Sequence, residues 1–391
     1  MKLNWQLMKL ADVCKLINGR AYNKQELLAT GKYPVLRVGN FFTNNHWYYS
    51  DLELGEDKYC DNGDLLYAWS ASFGPRIWTG GKVIFHYHIW KVLHDPSLID
   101  QKFLYLFFLW DTEKAKAEQG TGTTMTHVSM GSMNERQIPI PPLPEQQRIV
   151  GILDEAFAGI AVAKANAEKN LQNARALFES HLQAVFSQRG DGWVEKRLGD
   201  VADTISTGPF GTMVHKSDYI PDGIPMVNPM NIIGSRIVPS DKMRVSNETR
   251  NRLSRYMLRK GDIVIGRRGE MGRCALVTEK EEGWLCGTGS FFLRLPHDID
   301  GKFFVAQFSS NSIKTKLEEN SIGTTMSNLN HSILEALPLV LPSLDIQQTV
   351  IEHLGALEEE TQHLESIYQQ KLAVLDELKR SLLHRAFSGE L

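Results

Sequence analysis

Apolar residues recur in steps of three and four from Ile149 through Leu153, Ala156, Ile160, Ala163, Ala167, Leu171, Ala174, Phe178 and Leu182 to Val185, the seam of one long helix. A second stripe repeats the pattern at Val350, Leu354, Leu357, Thr361, Leu364, Tyr368, Leu372 and Leu375, with Leu378 and Leu382 on a slightly shifted line. Each stripe follows a punctuation, Pro141-Pro142-Leu143-Pro144 or Pro342-Ser343-Leu344, and then runs more than forty residues without proline. At ~1.5 Å per residue such helices are about 60 Å long, far beyond the usual globular length. A single stripe on so long a helix needs a partner, and the chain supplies two, which predicts a coiled-coil rod.

The stripes belong to a larger duplication. Gly122 to Ser187 lies on Gly323 to Ser388 at a constant offset of 201 with no gap, matching Gln146 with Gln347 and Phe186 with Phe387. The register continues into the preceding segments at smaller offsets: Trp5 to Val13 lies on Trp193 to Val201, Pro34 to Asn40 on Pro225 to Asn231, and Gly63-Asp64-Leu65-Leu66 on Gly261-Asp262-Ile263-Val264. These segments hold short apolar runs, Pro34 to Val38, Leu65 to Trp69, Lys82 to Val92, Ile263 to Gly266 and Ser290 to Leu295, broken by Gly, Asn and Asp turns. Helices are predicted at Lys102 to Glu118 and Lys302 to Glu319. The expected fold is α+β: two homologous β-rich domains separated by two long antiparallel helices, a pseudo-two-fold tandem duplication. The boundaries are 1–143, 144–187, 188–342 and 343–391.

Composition adds little to this. A hydrophobic content of 42% and a charged content of 23% describe an ordinary globular chain with room, at 391 residues, for two to three domains. Acidity gathers on the helices, with nine acidic against four basic residues over 343–391, and leaves the globular parts near neutral. No signal-peptide run or membrane-length apolar stretch is present, so a cytoplasmic location without membrane association is expected. Cys14, Cys60, Cys274 and Cys286 have no CxxC spacing and support neither a zinc site nor a disulfide framework.

The ordered doublet of openings, Gly-Asp turns, the Arg267-Arg268-Gly269-Glu270-Met271-Gly272-Arg273 loop, both Gly-Thr-Thr-Met stretches, Pro141 to Val150 and the terminal Phe387-Ser388-Gly389-Glu390-Leu391 resembles the specificity (S) subunit of type I restriction-modification systems over essentially the whole chain. The resemblance implies two target-recognition domains that read the halves of a bipartite, asymmetric DNA site, on a rod that fixes the gap between them. It implies as partners double-stranded DNA, two methylation (M) subunits that use S-adenosylmethionine on adenine N6, and restriction (R) subunits that use ATP and Mg²⁺. It further implies that this chain is not an enzyme and binds no cofactor itself.

The residues agree with that implication. Asn228-Pro229-Met230-Asn231 is the segment nearest to an adenine methyltransferase loop, but it lacks the second proline and the aromatic, and reads as a strand end. No GxxxxGK[ST] phosphate loop occurs. His86-Tyr87-His88 puts two imidazoles on one strand face, without further ligands at metal spacing.

The strongest candidate chemistry is basic. From Arg244 to Arg273 stand nine basic residues against three acidic ones, readable as a solvated, ion-paired surface or as phosphate and guanine contacts. With the resemblance, the DNA contacts are assigned to Arg20, Asn40, Ser70, Ser72, Arg76 and Thr124 in the first unit, and Lys216, Asn231, Arg267, Arg268, Arg273 and Thr325 in the second. Positions that differ between units, Ser70 to Arg76 against Arg267 to Arg273, are where each would read its own bases; positions alike in both, such as Thr124 and Thr325, would share a structural or phosphate role. The alternative is a coiled-coil interaction scaffold that never reads DNA.

Overall fold

The computed structural model describes residues 5–43, 45–70, 73–118, 128–188, 190, 192–320 and 329–391. The chain divides into two compact units, Met1–Glu168 with Gln370–Leu391, and Lys169–Gln369.

In the first unit the strands are β1 (Gln6–Lys9), β2 (Cys14–Asn18), β3 (Tyr33–Leu36), β4 (Tyr48–Ser50), β5 (Tyr59–Cys60), β6 (Leu65–Ala68), β7 (Gly74–Ile77), β8 (Val83–Phe85), β9 (Ile89–His94) and β10 (Gln137–Ile140). They form a sheet in the order β2-β9-β6-β7, a second in the order β4-β3-β8-β5, and a closing antiparallel pair β1-β10. All four residues of β6 are buried, as the unbroken apolar run Leu65-Leu66-Tyr67-Ala68 requires of a strand covered on both faces. Strands β3 and β8 are parallel, pairing Val35 with Ile84 and Leu36 with Phe85, so both chains leave the sheet at the same end.

The second unit repeats this order with β11 (Val194–Arg197), β12 (Thr204–Thr207), β13 (Tyr219–Val227), β14 (Ile232–Ile233), β15 (Arg236–Ile237), β16 (Arg244–Val245), β17 (Ile263–Gly266), β18 (Cys274–Leu276), β19 (Leu285–Cys286), β20 (Ser290–Arg294) and β21 (Pro338–Leu341). Its sheets run β12-β20-β17-β18 and β16-β13-β19, with β11-β21 closing the unit and the hairpin β14-β15 forming a separate two-stranded sheet. The parallel pair recurs as β13 and β19.

The shared Gly-Asp turns have a physical reason. Gly63 and Gly261 hold φ of 90° and 91°, a left-handed conformation that glycine adopts without steric cost. The following aspartate then serves twice. Asp64 Oδ2 accepts from the Asp61 N–H at 2.8 Å and from Lys91 Nζ at 2.7 Å. Asp262 accepts from the Arg259 N–H at 2.9 Å and from Arg294 Nε at 3.2 Å. Each turn is thus tied to the neighbouring strand.

Leu143–Ser187 and Leu344–Ser388 are unbroken helices of 45 residues each. In the first unit they run antiparallel: Arg148 reaches the Leu391 carbonyl, Lys379 lies over the Phe157 ring at 5.1 Å, and Lys164 meets Asp376 at 2.5 Å. In the second unit Arg175 meets Glu365 at 3.0 Å, and Leu182 and Leu354 share one core. The aromatic ends of the helices are core residues. Phe387 packs on Phe103, Phe107 and Trp110 with ring centroids 5.1, 5.7 and 5.4 Å away. Phe186 packs on Phe303 and Trp193 at 5.4 and 6.3 Å.

Two expectations are corrected. The helix predicted at Lys102 to Glu118 is present as Gln101–Glu118, but its counterpart is broken into Gly301–Phe308 and Asn311–Asn320. The break falls at Ser309-Ser310, where the Ser310 N–H turns back to the Gln307 carbonyl and the Ser309 hydroxyl lies 3.5 Å from Cys274 Sγ. Short polar side chains that bond locally weaken a helix interior. The run Lys82 to Val92 is two strands, and His86-Tyr87-His88 is the turn between them rather than a strand face.

Candidate nucleic-acid interface

Three loops converge at one end of each unit, because the parallel strands and the adjoining hairpin all terminate there. In the first unit they follow β3, β6 and β8; in the second they follow β13, β17 and β19. The same hydrogen bonds hold both sets. His86 N–H donates to the Leu36 carbonyl at 2.9 Å, as Gly287 N–H donates to Val227 at 2.8 Å. Trp69 N–H donates to His88 at 3.0 Å, as Arg267 N–H donates to Gly289 at 2.8 Å. The Trp69 carbonyl accepts from Val128 at 3.1 Å, as that of Arg267 accepts from Leu329 at 3.0 Å.

On this common backbone the side chains differ. Ala68 pairs with Ile89 and Gly266 with Ser290, which places Trp69 opposite Arg267, and Ser70 opposite Arg268, in the two units. Trp69 stacks on Trp90 with centroids 5.8 Å apart, and Arg267 lies over the corresponding Phe291 ring at 5.3 Å. Arg267 also donates from Nε to the Leu329 carbonyl at 3.2 Å. Burial, and then the neighbouring Arg268, lower its pKa. Both Trp69 and Arg267 therefore form a shelf, whereas Arg268 is exposed and has no hydrogen bond or ion pair among the described residues.

The other sequence-derived candidates separate by what they touch. Ser70 and Asn231, at 4% and 3% exposure, are buried. Asn231 accepts from the Asn228 N–H at 2.9 Å and donates to the Val238 carbonyl at 2.9 Å, which fixes the loop after β13. Asn40 donates to the His46 carbonyl at 2.6 Å. Arg20 is held by Glu26 at 2.6 Å and Arg273 by Glu270 at 2.8 Å. Arg76 is exposed and donates to the Phe41 carbonyl. Lys216 is exposed on the Lys216–Asp218 turn, and among the described residues no hydrogen bond or ion pair ties it to the three loops. Ser72, Thr124 and Thr325 lie outside the described residues.

Arg37, which the sequence-derived set omits, stands directly after β3 in the first unit. It is exposed, and among the described residues its guanidinium lies over the Tyr48 ring, 5.5 Å from the ring centre. Beside it His86 and His88 have ring centroids 4.8 Å apart. Burial, then His88 and Arg37, push the His86 pKa down to about 4. Among the described residues no group of three or more His, Cys, Asp or Glu is placed to hold a metal ion, and no helix is long and apolar enough to cross a membrane.

This arrangement, two like-built units with different side chains on the same loops, each followed by a long helix, belongs to a defined class. The Type I restriction modification DNA specificity domain matches residues 2–172 and again 190–373, and the chain belongs to that family. It is 22% identical to the EcoBI specificity subunit of Escherichia coli over 99% of this chain and 86% of that one. It is also 22% identical to the MjaVIII specificity subunit of Methanocaldococcus jannaschii, over 99% and 93%. Among solved structures, a chain from a study of assembly and conformational transition in the type I R-M system superposes with a TM-score of 0.79 at 18% identity, covering 100% of this chain and 99% of that one. The HsdS subunit from Thermoanaerobacter tengcongensis superposes with a TM-score of 0.59 at 17% identity, covering 100% and 98%. At such identities the likeness is one of fold.

Proposed function

We propose that this chain is the DNA-recognition subunit of a type I restriction-modification complex, reading a bipartite asymmetric site and scaffolding the methylation and restriction subunits. The observation that carries this reading is the duplicated loop end: equal backbone hydrogen bonds support unequal chemistry, Trp69-Ser70 against Arg267-Arg268 and His86-Tyr87-His88 against Gly287-Thr288-Gly289. Equal scaffolds with unequal tips suit two different half-sites, since base edges specify sequence while phosphate contacts position the protein.

In this reading the parts divide as recognition domains over 1–143 and 188–342, and helical repeats over 144–187 and 343–391 that set the unspecified gap. Methyl transfer to adenine, ATP-driven movement and cleavage belong to the partner subunits, so this chain carries no catalytic group. Its place is the cytoplasm, with the DNA.

Binding of the full chain with its methylation subunits to a duplex carrying the cell's own methylated site tests the proposal. Site-specific binding whose affinity falls steeply with salt is the expected result. Stable assembly with the partners but no preference for any duplex would leave a protein-interaction scaffold instead.

A further inference from the structure

Arg37 has the properties of a reading side chain that its neighbours lack. Its backbone is extended, with φ −112° and ψ 163°, and its carbonyl accepts from the Phe41 N–H at 2.8 Å, so the residue is fixed at the head of the turn after β3. The other arginines considered as DNA contacts are engaged: Arg20 with Glu26, Arg76 with a carbonyl, Arg267 with a carbonyl and a ring, Arg273 with Glu270. Arg37 and Arg268 alone among them have no hydrogen-bond or ion-pair partner in the described residues. They arise from different loops, because Arg37 occupies the place of Asn228 and Arg268 the place of Ser70.

Arg37 also lines a cavity of about 260 Å³ together with Asn40, His46, Tyr48, His86 and His88. No carboxylate lines it, so the cavity suits a ligand that presents hydrogen-bond acceptors. On DNA, paired acceptors that match one guanidinium fork are offered by the phosphate oxygens and by the N7/O6 edge of guanine. The geometry favours the second. The guanidinium carbon lies 5.5 Å from the Tyr48 ring centre, and no carbonyl or carboxylate among the described residues holds the planar fork, which is left to donate two parallel hydrogen bonds, the geometry of guanine recognition. A neutral His86 beside it adds a polar wall without a second full charge that would draw phosphate.

Resting on the DNA-reading function proposed above, we infer that Arg37 is the specificity-determining side chain of the first unit, and that it reads the N7/O6 edge of a guanine in that unit's half-site. The second unit has Asn228 in place of an arginine at this position and reads from the β17–β18 loop instead.

The test uses the full chain assembled with its methylation subunits and duplexes bearing the mapped site, in which each guanine of either half-site is replaced singly by 7-deazaguanine. Wild type should lose about 10- to 100-fold in affinity at one position, as a bidentate contact implies. Arg37→Ala should be indifferent to the same replacement and accept other base pairs there, while discrimination in the other half-site stays intact. Arg37→Lys should keep the salt dependence and lose the discrimination, since an ammonium lacks the fork. An equal loss on every duplex with a salt slope reduced by about 1 would make Arg37 a phosphate contact and overturn the inference. Unchanged binding by Arg37→Ala, or a half-site without a sensitive guanine, would overturn it too. Wild type without preference for any duplex would instead defeat the DNA-reading function itself.

Discussion

Gln146 Oε1 accepts a hydrogen bond from the Asp100 N–H at 2.8 Å, while its Nε2 donates to the Leu98 and Pro141 carbonyls at 3.0 and 2.8 Å. The side chain is fully buried, so it joins the foot of the first long helix to the cap of helix Gln101–Glu118. Gln347 does the same in the second unit, accepting from Asp300 at 2.8 Å and donating to Asp298 and Pro342 at 3.1 and 3.0 Å. Gln146→Leu leaves one buried N–H and two carbonyls short of a partner. It should cost about 2–3 kcal/mol, read as a lower denaturation midpoint in urea, and Gln347→Leu should cost the same. A change below about 0.5 kcal/mol would show that water replaces the amide.

The adjacent arginines of the second unit should behave differently. Arg268→Ala should leave thermal stability unchanged and weaken specific binding at one half-site. Arg267→Ala removes the bond to Leu329 and the contact with Phe291, and should cost about 1–2 kcal/mol of stability as well. Thermal melts of the two single variants, beside competition assays, separate the roles.

Acid should act on the first unit through His86. Its pKa lies below the ordinary 6.5, at about 4, because burial, His88 and Arg37 all oppose a charge there. The folded state thus prefers the neutral ring, and this contribution is complete above pH 6.5 and lost as the pH falls from there toward 4. His86→Gln should flatten the dependence of midpoint on pH across that window. Parallel slopes for variant and wild type would assign the acid sensitivity elsewhere.

Length of the helices should set the spacing of the site. Four residues inserted after Ala167, with four more after Tyr368 to keep the antiparallel seam in register, add about one turn, ~6 Å. At ~3.4 Å per base pair the gap should grow by one or two base pairs while both half-sites stay the same. Methylation mapping that returns the old gap at full efficiency would reject the spacer role.

A fragment of residues 1–190 lacks Phe387, but carries its sequence counterpart Phe186. A second copy can then supply the ring that packs on Phe103 and Phe107, so the fragment should dimerise and, with methylation subunits, recognise a palindromic site. Sedimentation showing a monomer at micromolar concentration would refute this, and Phe186→Asp should produce that monomer.

Much of the fold was legible because duplication made the sequence its own comparison. The stripes from Ile149 and from Val350 fall inside the helices Leu143–Ser187 and Leu344–Ser388, the second ending three residues before the expected 391, and Gly63-Asp64 with Gly261-Asp262 marks the same turn twice. The candidate site was legible as loops but not as side chains. Spacing places Ser70 and Asn231 at the loop end of each unit, yet it does not reveal that both are buried and that Asn231 fixes its own loop. Arg37 lay inside a matched strand segment, Pro34 to Asn40, where likeness to Pro225 to Asn231 drew attention to the shared asparagine. Only the parallel pairing of β3 with β8 brings Arg37 beside His86, and pairing across such separations is not written in local pattern.

Phe387 has a bearing on how the chain comes into being. Synthesis runs from the N-terminal side, so Phe103, Phe107 and Trp110 leave the ribosome nearly three hundred residues before the ring that covers them. The second unit, whose Phe186 is already present when Phe303 emerges, can close its core first. The half of the protein made earliest is therefore the last to be finished, and during that interval its aromatic face is open to chaperones and to other nascent copies.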